Sequence, residues 1–263
     1  MLPPAYVLHV KTGFEDREES IRRQFEALGI AFEWVLDFDI PEIDPAVLAR
    51  FGNPQHRLRP DEISCCLKHR AAWERIIHSG AGAGLVLEDD VLLDRHAFGR
   101  ILALALDELG RRHGASGCIC LGDGCALHVP WTRTRRGTLL YPAGLMRASD
   151  SYWIDRRSAA ALRARVDARG FCLPADHLIG TLLQELGIPL FWLEPTIVHQ
   201  GSHSGVFKST IQRDDEGLLN KHLEFWIKKI RRKYIYPLLG IDPRYRGAPA
   251  AGQGPDPGPS EGK

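Results

Sequence analysis

The order of apolar runs in the first 36 residues constrains the fold more than any other feature of the chain. A short apolar run at residues 5–10 precedes residues 15–28, where apolar side chains recur at helical spacing until Gly29, and a second apolar run covers residues 32–36. This strand, helix, strand order predicts a βαβ unit and a largely parallel sheet with helices on its faces. Ligands of such sheets bind at the carboxyl ends of the strands.

The same patterns continue further along the chain. His69 and Trp73 lie four residues apart on one predicted helix, so we expect them to pack, and Asp155 is positioned to cap another helix. The further predicted helices cover residues 61–79, 96–112, 155–166 and 174–186. The further predicted strands cover residues 84–91, 117–121, 151–154 and 190–193. We therefore predict an α/β fold.

Three adjacent carboxylates, Glu88, Asp89 and Asp90, follow the apolar part of the third strand. Like charges side by side repel one another, so a cation or a hydrogen-bonded ligand is expected to offset the cost. In extended backbone Glu88 and Asp90 would project to one side and Asp89 to the other, a spacing that suits one divalent ion. The alternative is a solvated acidic turn.

Composition excludes several classes of protein. The chain of 263 residues has a formal net charge of +1, and its basic residues concentrate in one C-terminal helix without a nucleic-acid-binding motif, so we expect no nucleic-acid partner. We see neither an export signal nor an apolar run of about 20 residues, the length of a membrane span. The six cysteines lack C-x-x-C spacing. We expect reduced thiols in a cytoplasmic protein.

The C-terminal part differs in character from the rest. We predict a catalytic domain at residues 1–215, a basic amphipathic helical segment at 216–246, and a disordered tail rich in Pro and Gly at 247–263. Two interpretations of the helical segment are open. Its clustered Lys and Arg residues favour peripheral contact with an anionic membrane surface, here the inner face of the cell membrane. Alternatively, its apolar stripe packs on the catalytic domain while the charges are solvated.

Several blocks of sequence carry a resemblance. The segment 61–69 with Trp73, followed by 85–91, resembles glycosyltransferase family 25, whose bacterial members build lipooligosaccharide. The agreeing later blocks are 152–154, 174–177, 194–195 and 199–200, so the likeness runs from about residue 5 to 212. The resemblance implies a GT-A type fold and a nucleotide-sugar donor, often UDP-galactose. It also implies a divalent ion such as manganese, inversion at the anomeric carbon, and a glycan or glycolipid acceptor.

Three residues are candidate metal ligands. A divalent ion, Mn²⁺ or Mg²⁺, stabilises the charge that develops on the leaving diphosphate. We expect Asp90 to bind it, with Glu88 binding directly or through water. His199 falls where GT-A enzymes often place a late ligand, although a hydrogen-bonded histidine at a strand end is an equal alternative. By the resemblance, Asp89 or Glu88 contacts the donor ribose instead.

Further donor contacts follow from position. Lys11 after the first strand and Asp37 after the second lie at the edge where the nucleotide is expected. The segment 201–210 is small, polar and flanked by glycines, which suits a loop that closes over the donor. In it, His203 and Lys208 are candidates for neutralising phosphate oxygens. The alternative is a surface linker.

An inverting transfer requires a base for the acceptor hydroxyl, and Asp176 and Asp150 are the candidates. Each has an alternative role, Asp176 as a helix cap and Asp150 as a turn residue. We favour Asp176, because residues 174–177 match the family block.

Two other functions remain open. Clustered carboxylates also hold metal ions in phosphoryl hydrolases. A glycan-binding protein of the same fold without catalytic activity is the second alternative. It is suggested by residues 36–40, Leu-Asp-Phe-Asp-Ile, where many relatives have Ala-Val-Asp-Gly.

Overall fold

The computed structural model describes residues 2–52, 58–124, 127–201, 207 and 227–239. A seven-stranded sheet with the strand order β2-β1-β3-β7-β5-β8-β6 forms the centre of this part of the chain. Its strands are β1 (Ala5–Leu8), β2 (Phe32–Val35), β3 (Ala83–Glu88), β5 (Cys118–Cys120), β6 (Leu140–Pro142), β7 (Ser151–Asp155) and β8 (Leu190–Leu193). The predicted α/β class is confirmed.

Most strands of this sheet run in one direction. β1 is parallel to β2 and β3, and β5 is parallel to β8. β7 lies between β3 and β5 and is antiparallel to both, and β6 is antiparallel to β8 at the edge. The carboxyl ends of β1, β2, β3, β5 and β8 therefore share one edge of the sheet.

Helices cover both faces of the sheet. They are α1 (Glu15–Leu28), α2 (Pro45–Phe51), α3 (Pro60–His78), α4 (Phe98–His113), α5 (Arg156–Arg169) and α6 (Ala175–Glu185). One core joins α3, α5 and α6 to side chains such as Tyr6, Tyr152 and Trp192. The other joins α1 and α4 to the opposite face through side chains such as Val7 and Leu87. The domain has three layers.

Local signals explain where several of these helices begin and end. Gly29 adopts a left-handed conformation (φ 62°), and its N–H and that of the next residue bond to carbonyls of the last turn of α1. Asp155 caps α5 as predicted, because its carboxylate accepts hydrogen bonds from the backbone N–H groups of Arg157 and Ser158. The limits of both helices therefore follow from short sequence patterns.

A second, two-stranded sheet was not predicted. β4 (Val91–Leu93) directly follows the acidic triplet and pairs antiparallel with β9 (Val198–Gln200), where His199 lies opposite Leu92. Its strands have three residues each, too few for an alternating pattern to be recognised. The pairing brings the end of the triplet close to Gly201, whose N–H donates to the Asp90 carbonyl at 2.7 Å.

Residues 227–238 are helical and contain the π-helical turn Arg231–Ile235. The Lys229 ammonium donates to Asp123 Oδ2 at 2.7 Å, and the Lys233 ammonium donates to Glu194 Oε1 at 3.2 Å. The large apolar side chains of this helix are exposed: Ile227, Ile230, Tyr234, Ile235, Leu238 and Leu239. Both interpretations of the segment stay predictions, because most of its apolar stripe lies outside the described residues. Residues 216–226 and the tail at 247–263 lie outside the described residues, and the domain limits stay predictions.

Candidate active site

A cleft of about 570 Å³ opens at the carboxyl ends of β1, β2 and β3. Its walls come from the β1–α1 loop, the turn after β2, the first half of α3 and the end of β3. Parallel strands that end together leave room for a ligand between the loops that follow them. The cleft is therefore where the predicted donor contacts can be compared with the structure.

Lys11 lines the cleft at its exposed side. Its ammonium forms a salt bridge with the Glu42 carboxylate at 2.5 Å, and this hydrogen bond is the main reason that the pKa of Lys11 is raised. Its backbone N–H donates to Asp39 Oδ2 at 2.9 Å. Lys11 thus lies at the mouth of the cleft, and its contact with a nucleotide stays a prediction.

Asp39, rather than Asp37, faces the cleft from the turn after β2. The Asp37 carboxylate is half exposed and pairs with Arg75 at 2.5 Å; burial alone would raise its pKa, but Arg75 lowers it. Asp39 Oδ1 instead accepts a hydrogen bond from the buried Lys68 ammonium at 2.7 Å, and Lys68 also donates to the carbonyls of His9 and Asp37. The predicted donor contact at Asp37 is not supported, because its side chain points to another partner.

The acidic triplet divides between two environments. Asp89 lines the cleft and is buried, with Oδ2 2.7 Å from His9 Nδ1 and Oδ1 accepting a hydrogen bond from Arg17 Nη1 at 2.8 Å. Glu88 is the last residue of β3, and Asp90 follows in a turn rather than in extended backbone. The Arg17 guanidinium offsets the charge of Asp89, whereas Glu88 and Asp90 face a further carboxyl.

That further carboxyl is Asp150, which is almost completely buried. Burial raises the pKa of Asp150 well above its usual range, and the charges of Glu88, Asp90 and Asp123 add to the effect. Ser151 Oγ donates to Asp150 Oδ2 at 3.3 Å, and the Glu88 N–H donates to the Asp150 carbonyl at 2.8 Å. Burial beside like charges disfavours the ionised form of this carboxyl.

His199 does not join Glu88 and Asp90. Its Nδ1 lies 2.9 Å from Asp123 Oδ2, the oxygen that also receives the Lys229 ammonium. Burial alone would raise the pKa of Asp123, but the hydrogen bonds with His199 and Lys229 outweigh it and lower the pKa far below its usual range. In this arrangement His199 acts as the hydrogen-bonded strand-end histidine that was the alternative to a metal ligand.

The predicted metal ligands therefore do not converge. A carboxylate and imidazole set is chemically suited to Mn²⁺. Among the described residues, however, a different group brings three ligand atoms within 4.8 Å of one another. It consists of Cys65, His69 and Glu88. The set of Asp90, Glu88 and His199 does not fit a shared ion in this geometry, and we route no step through one.

Asp176 is the more accessible of the two candidate bases. It lies in the first turn of α6, its side chain is one third exposed, and its Oδ1 accepts a hydrogen bond from the His177 N–H at 2.8 Å. Burial raises the pKa of the Cys66 thiol to about 12, with the charges of Glu62 and Asp176 adding to the effect. Asp176 thus lies beside α3, the helix that forms one wall of the cleft.

His203 and Lys208, the predicted phosphate contacts, lie outside the described residues. Phe207 between them is described and buried, and its N–H donates to the Gly201 carbonyl at 3.2 Å. The Arg17 guanidinium lies 5.9 Å from the Phe207 ring centroid. Phe207 thus lies next to a cation that lines the cleft.

The sequence analysis missed a second buried charge cluster. Arg147 is fully buried, and Nη2 donates to Glu194 Oε2 at 3.0 Å while Nη1 donates to the carbonyls of Gly122 and Leu193. His128 Nδ1 lies 3.9 Å from the same Glu194 oxygen. Arg147 and Glu194 are 47 residues apart in sequence, so no local spacing connects them. The block at 194–195 was the one signal near this cluster.

Comparison with known families gives this geometry a context. Residues 3–116 match the family model described as glycosyltransferase family 25 (LPS biosynthesis protein). Over these residues the chain is similar to glycosyltransferase family 25. The resemblance seen in the sequence is confirmed over these residues, and with it the prediction of a transferase. Every residue that lines the cleft falls inside the family 25 segment.

Solved structures were compared as well. One similar structure is a glycosyltransferase involved in the glycosylation of the major capsid of PBCV-1, at 8% identity and a TM-score of 0.43, covering 86% of this chain and 100% of that one. Another is the inositol-1-phosphate CTP transferase from T. maritima, at 9% identity and a TM-score of 0.42, covering 88% of this chain and 98% of that one. The search of curated proteins gave no match.

Proposed function

We propose that this chain is an inverting glycosyltransferase that moves a hexose, with galactose first among the candidates, from a UDP-sugar to a hydroxyl of a lipooligosaccharide or another glycan. One observation carries the proposal. The cleft at the carboxyl ends of β1, β2 and β3 is built entirely from the family 25 segment and contains ionic side chains from all its walls. Sheets of this kind bind nucleotides at this edge.

The cleft offers separate surfaces for the two ends of a nucleotide donor. Phe14, Ile40 and Pro41 supply apolar area for a base. Lys11 and Arg17 bring positive charge, which suits a diphosphate. Glu88 and Asp89 at the end of β3 are our proposed contacts to the donor ribose.

Asp176 is our proposed base for the acceptor hydroxyl. Its side chain is one third exposed beside the helix that forms a wall of the cleft, so an acceptor can approach it. Asp150 is enclosed, with 1% of its surface exposed, so an acceptor hydroxyl cannot approach it in the same way.

Metal dependence stays a prediction. A bound Mn²⁺ or Mg²⁺ would act as a Lewis acid on the diphosphate. The ligand set of Asp90, Glu88 and His199 is not assembled here, so Lys11 and Arg17 are the groups to which we assign the stabilisation of negative charge.

Release of UDP from UDP-galactose or UDP-glucose, measured with and without a glycan acceptor, tests the proposal. We expect acceptor-dependent release that Lys11→Met strongly reduces, because the half-exposed Lys11 ammonium lines the cleft. Arg111→Met, on the exposed surface of α4, is the control. Adding EDTA and, separately, Asp90→Ala tests metal dependence, which is excluded if neither changes the rate.

The same samples separate the alternatives. Cleavage of simple phosphate esters without any sugar acceptor would identify a phosphoryl hydrolase instead. Tight glycan binding in calorimetry, together with no binding of any nucleotide, would identify a glycan-binding protein.

We place the acceptor at the inner face of the cell membrane, with this chain bound peripherally. The part of the chain that the structure describes has no helix long and apolar enough to cross a membrane. Support comes from the helix at 227–238, which exposes apolar side chains beside the exposed cations Lys228 and Arg231. Apolar area with adjacent cations is the combination that binds an anionic lipid surface.

A further inference from the structure

Cys65, His69 and Glu88 meet at the wall of the cleft. Cys65 and His69 lie one turn apart on α3, and Glu88 ends β3 beneath them. Their ligand atoms all lie within 4.8 Å of one another, and His69 Nε2 is 3.8 Å from Glu88 Oε1. Cys65 and Glu88 both line the cleft, so the cluster is open to a ligand on one side.

The imidazole of His69 is the second sign of a binding site. His69 is 1% exposed, and its Nε2 has no hydrogen-bond partner among the residues that the structure describes. A buried ring nitrogen of this kind normally has a partner, since leaving it without one costs about 1–3 kcal/mol. A cation bound at Nε2 would supply the missing partner.

A hydrogen-bond network fixes the other side of the ring. His69 Nδ1 lies 3.0 Å from the Tyr152 hydroxyl, which also accepts a hydrogen bond from Trp73 Nε1 at 2.9 Å. When Nδ1–H donates to the Tyr152 oxygen, Nε2 presents a lone pair toward Glu88 and Cys65. Metal-binding histidines are commonly oriented in this way by a hydrogen bond at the second ring nitrogen.

The chemistry of the three side chains selects the kind of cation. A thiolate with an imidazole favours Zn²⁺ or Co²⁺, whereas Mn²⁺ and Mg²⁺ prefer oxygen ligands. Metal bonds of about 2.0–2.3 Å place tetrahedral ligand atoms about 3.5 Å apart, so small side-chain rotations close the present distances. Three protein ligands also leave a fourth position open.

We propose that Cys65, His69 and Glu88 bind one thiophilic divalent cation, Zn²⁺ or Co²⁺, whose open coordination position faces the cleft. This site differs from the Asp90, Glu88 and His199 set in two of its three ligands and in the metal that it selects. Because Glu88 belongs to both sets, a cation bound here withdraws Glu88 from the other. The site itself does not depend on glycosyl transfer.

Titration of the chelator-treated full chain with Co²⁺ tests the site without any activity assay. We expect saturation at one equivalent, with the near-ultraviolet charge-transfer absorption of a cobalt–thiolate bond and the visible bands of tetrahedral Co²⁺. Zn²⁺ should then displace the cobalt and remove both signals.

Matched variants assign the ligands. Cys65→Ser should abolish the charge-transfer absorption, while Cys172→Ser, at another partly buried free thiol, should leave it intact. Glu88→Gln should weaken Co²⁺ binding by at least about 10-fold, and this variant decides the question if Cys65→Ser does not fold. A folded wild-type chain without the thiolate absorption, or full absorption in folded Cys65→Ser, would overturn the proposal.

Discussion

Arg17 contributes both to the cleft and to the stability of the fold. It pairs with buried Asp89 at 2.8 Å, and the side chains of Arg17 and Asp89 are 8% and 11% exposed. Removing one partner of a buried ion pair leaves the other charge without compensation. We expect Arg17→Met to lower the free energy of unfolding by about 3–5 kcal/mol, measured by urea denaturation.

An exposed arginine on the same helix provides the control. Arg22 pairs with Glu18 at 2.6 Å, but its side chain is 58% exposed, so Arg22→Met should cost under about 1 kcal/mol. Equal losses in the two variants would show that the burial of the Arg17 pair does not contribute.

The two candidate bases can be separated by isosteric variants. We expect Asp176→Asn to lower kcat by about 10²–10⁴-fold with little change in KM for the donor, because the base acts on the acceptor hydroxyl. Asp150→Asn should have a much smaller effect, since the buried Asp150 carboxyl is not accessible to an acceptor. Steady-state kinetics with a glycan acceptor measures both. The reverse order of effects would assign the base to Asp150.

Sequence predicted the edge of the site better than its contacts. Lys11 and Asp89 were found because each follows a strand, and position along a strand is a local property. Asp37 does not line the cleft, because its carboxylate pairs with Arg75 from α3, and its role as a donor contact stays a prediction. The meeting of His69 with Glu88 depends on how α3 packs on β3, which no spacing within either element encodes.

At the level of elements, periodicity predicted the order of helices and strands but not their arrangement. The helices α1 and α3 were placed to within a residue or two because each has apolar residues at regular spacing and a recognisable end. The antiparallel insertion of β7 between β3 and β5 was not predicted, because an apolar strand reads the same in either direction. Only the long-range pairing determines it.

The docking of the C-terminal helix through Lys229 is testable at this scale. We expect Lys229→Met to lower the free energy of unfolding by about 2 kcal/mol, because it removes a hydrogen bond to buried Asp123. Amide exchange within residues 227–239 should become faster. Arg231→Met, at an exposed position of the same helix, is the control. Unchanged exchange in Lys229→Met would contradict this docking.

The Glu194 carboxylate, which pairs with Lys233 of the docked helix, makes the free energy of unfolding depend on pH in the acid range. Burial alone would raise the pKa of Glu194, but His128, Arg147 and Lys233 outweigh it and lower the pKa to about 2. Because the pKa of Glu194 is lower in the folded chain, the ionised carboxylate stabilises the fold at pH values above the ordinary glutamate pKa of about 4.3. This stabilisation is lost as the pH falls toward 2. Glu194→Gln should therefore be less stable than wild type at pH 7, by on the order of 3 kcal/mol.

The acid response is measured by urea denaturation at a series of pH values. The gap between wild type and Glu194→Gln should stay constant from pH 7 to about 5 and narrow below about pH 4.5. Glu185→Gln, whose carboxylate is 40% exposed, should show no such narrowing. A constant gap down to the acid transition would mean that Glu194 does not keep a lowered pKa in the folded protein.

At the scale of the whole molecule, the helix at 227–238 differs from an ordinary packed helix. Its contacts are made by charged side chains, whereas a packed helix usually buries its apolar ones. Two of its lysines pair with the buried carboxylates of Asp123 and Glu194, so charge holds the helix in place. Apolar side chains at its end are left exposed, with Leu238 and Leu239 at 69% and 65%. The described part of the chain therefore carries an apolar surface next to cations.

This surface predicts binding to anionic vesicles. The chain should co-sediment with vesicles that contain phosphatidylglycerol more strongly than with pure phosphatidylcholine, and added salt should weaken the binding because it screens the cations. Replacing both Leu238 and Leu239 by Asp should reduce the affinity at least about 10-fold, since two apolar side chains no longer enter the interface.

Leu104→Asp provides the matched control, because Leu104 is a similarly exposed leucine (47%) on α4, away from the helix at 227–238. It should bind vesicles as wild type does. If the double variant also binds as wild type does, the helix is not the lipid-binding element. We instead expect the double variant to lose vesicle binding while it keeps the wild-type rate on a soluble acceptor. That result would show that this helix, which ion pairs hold on the rest of the chain, brings the cleft to a lipid-linked acceptor.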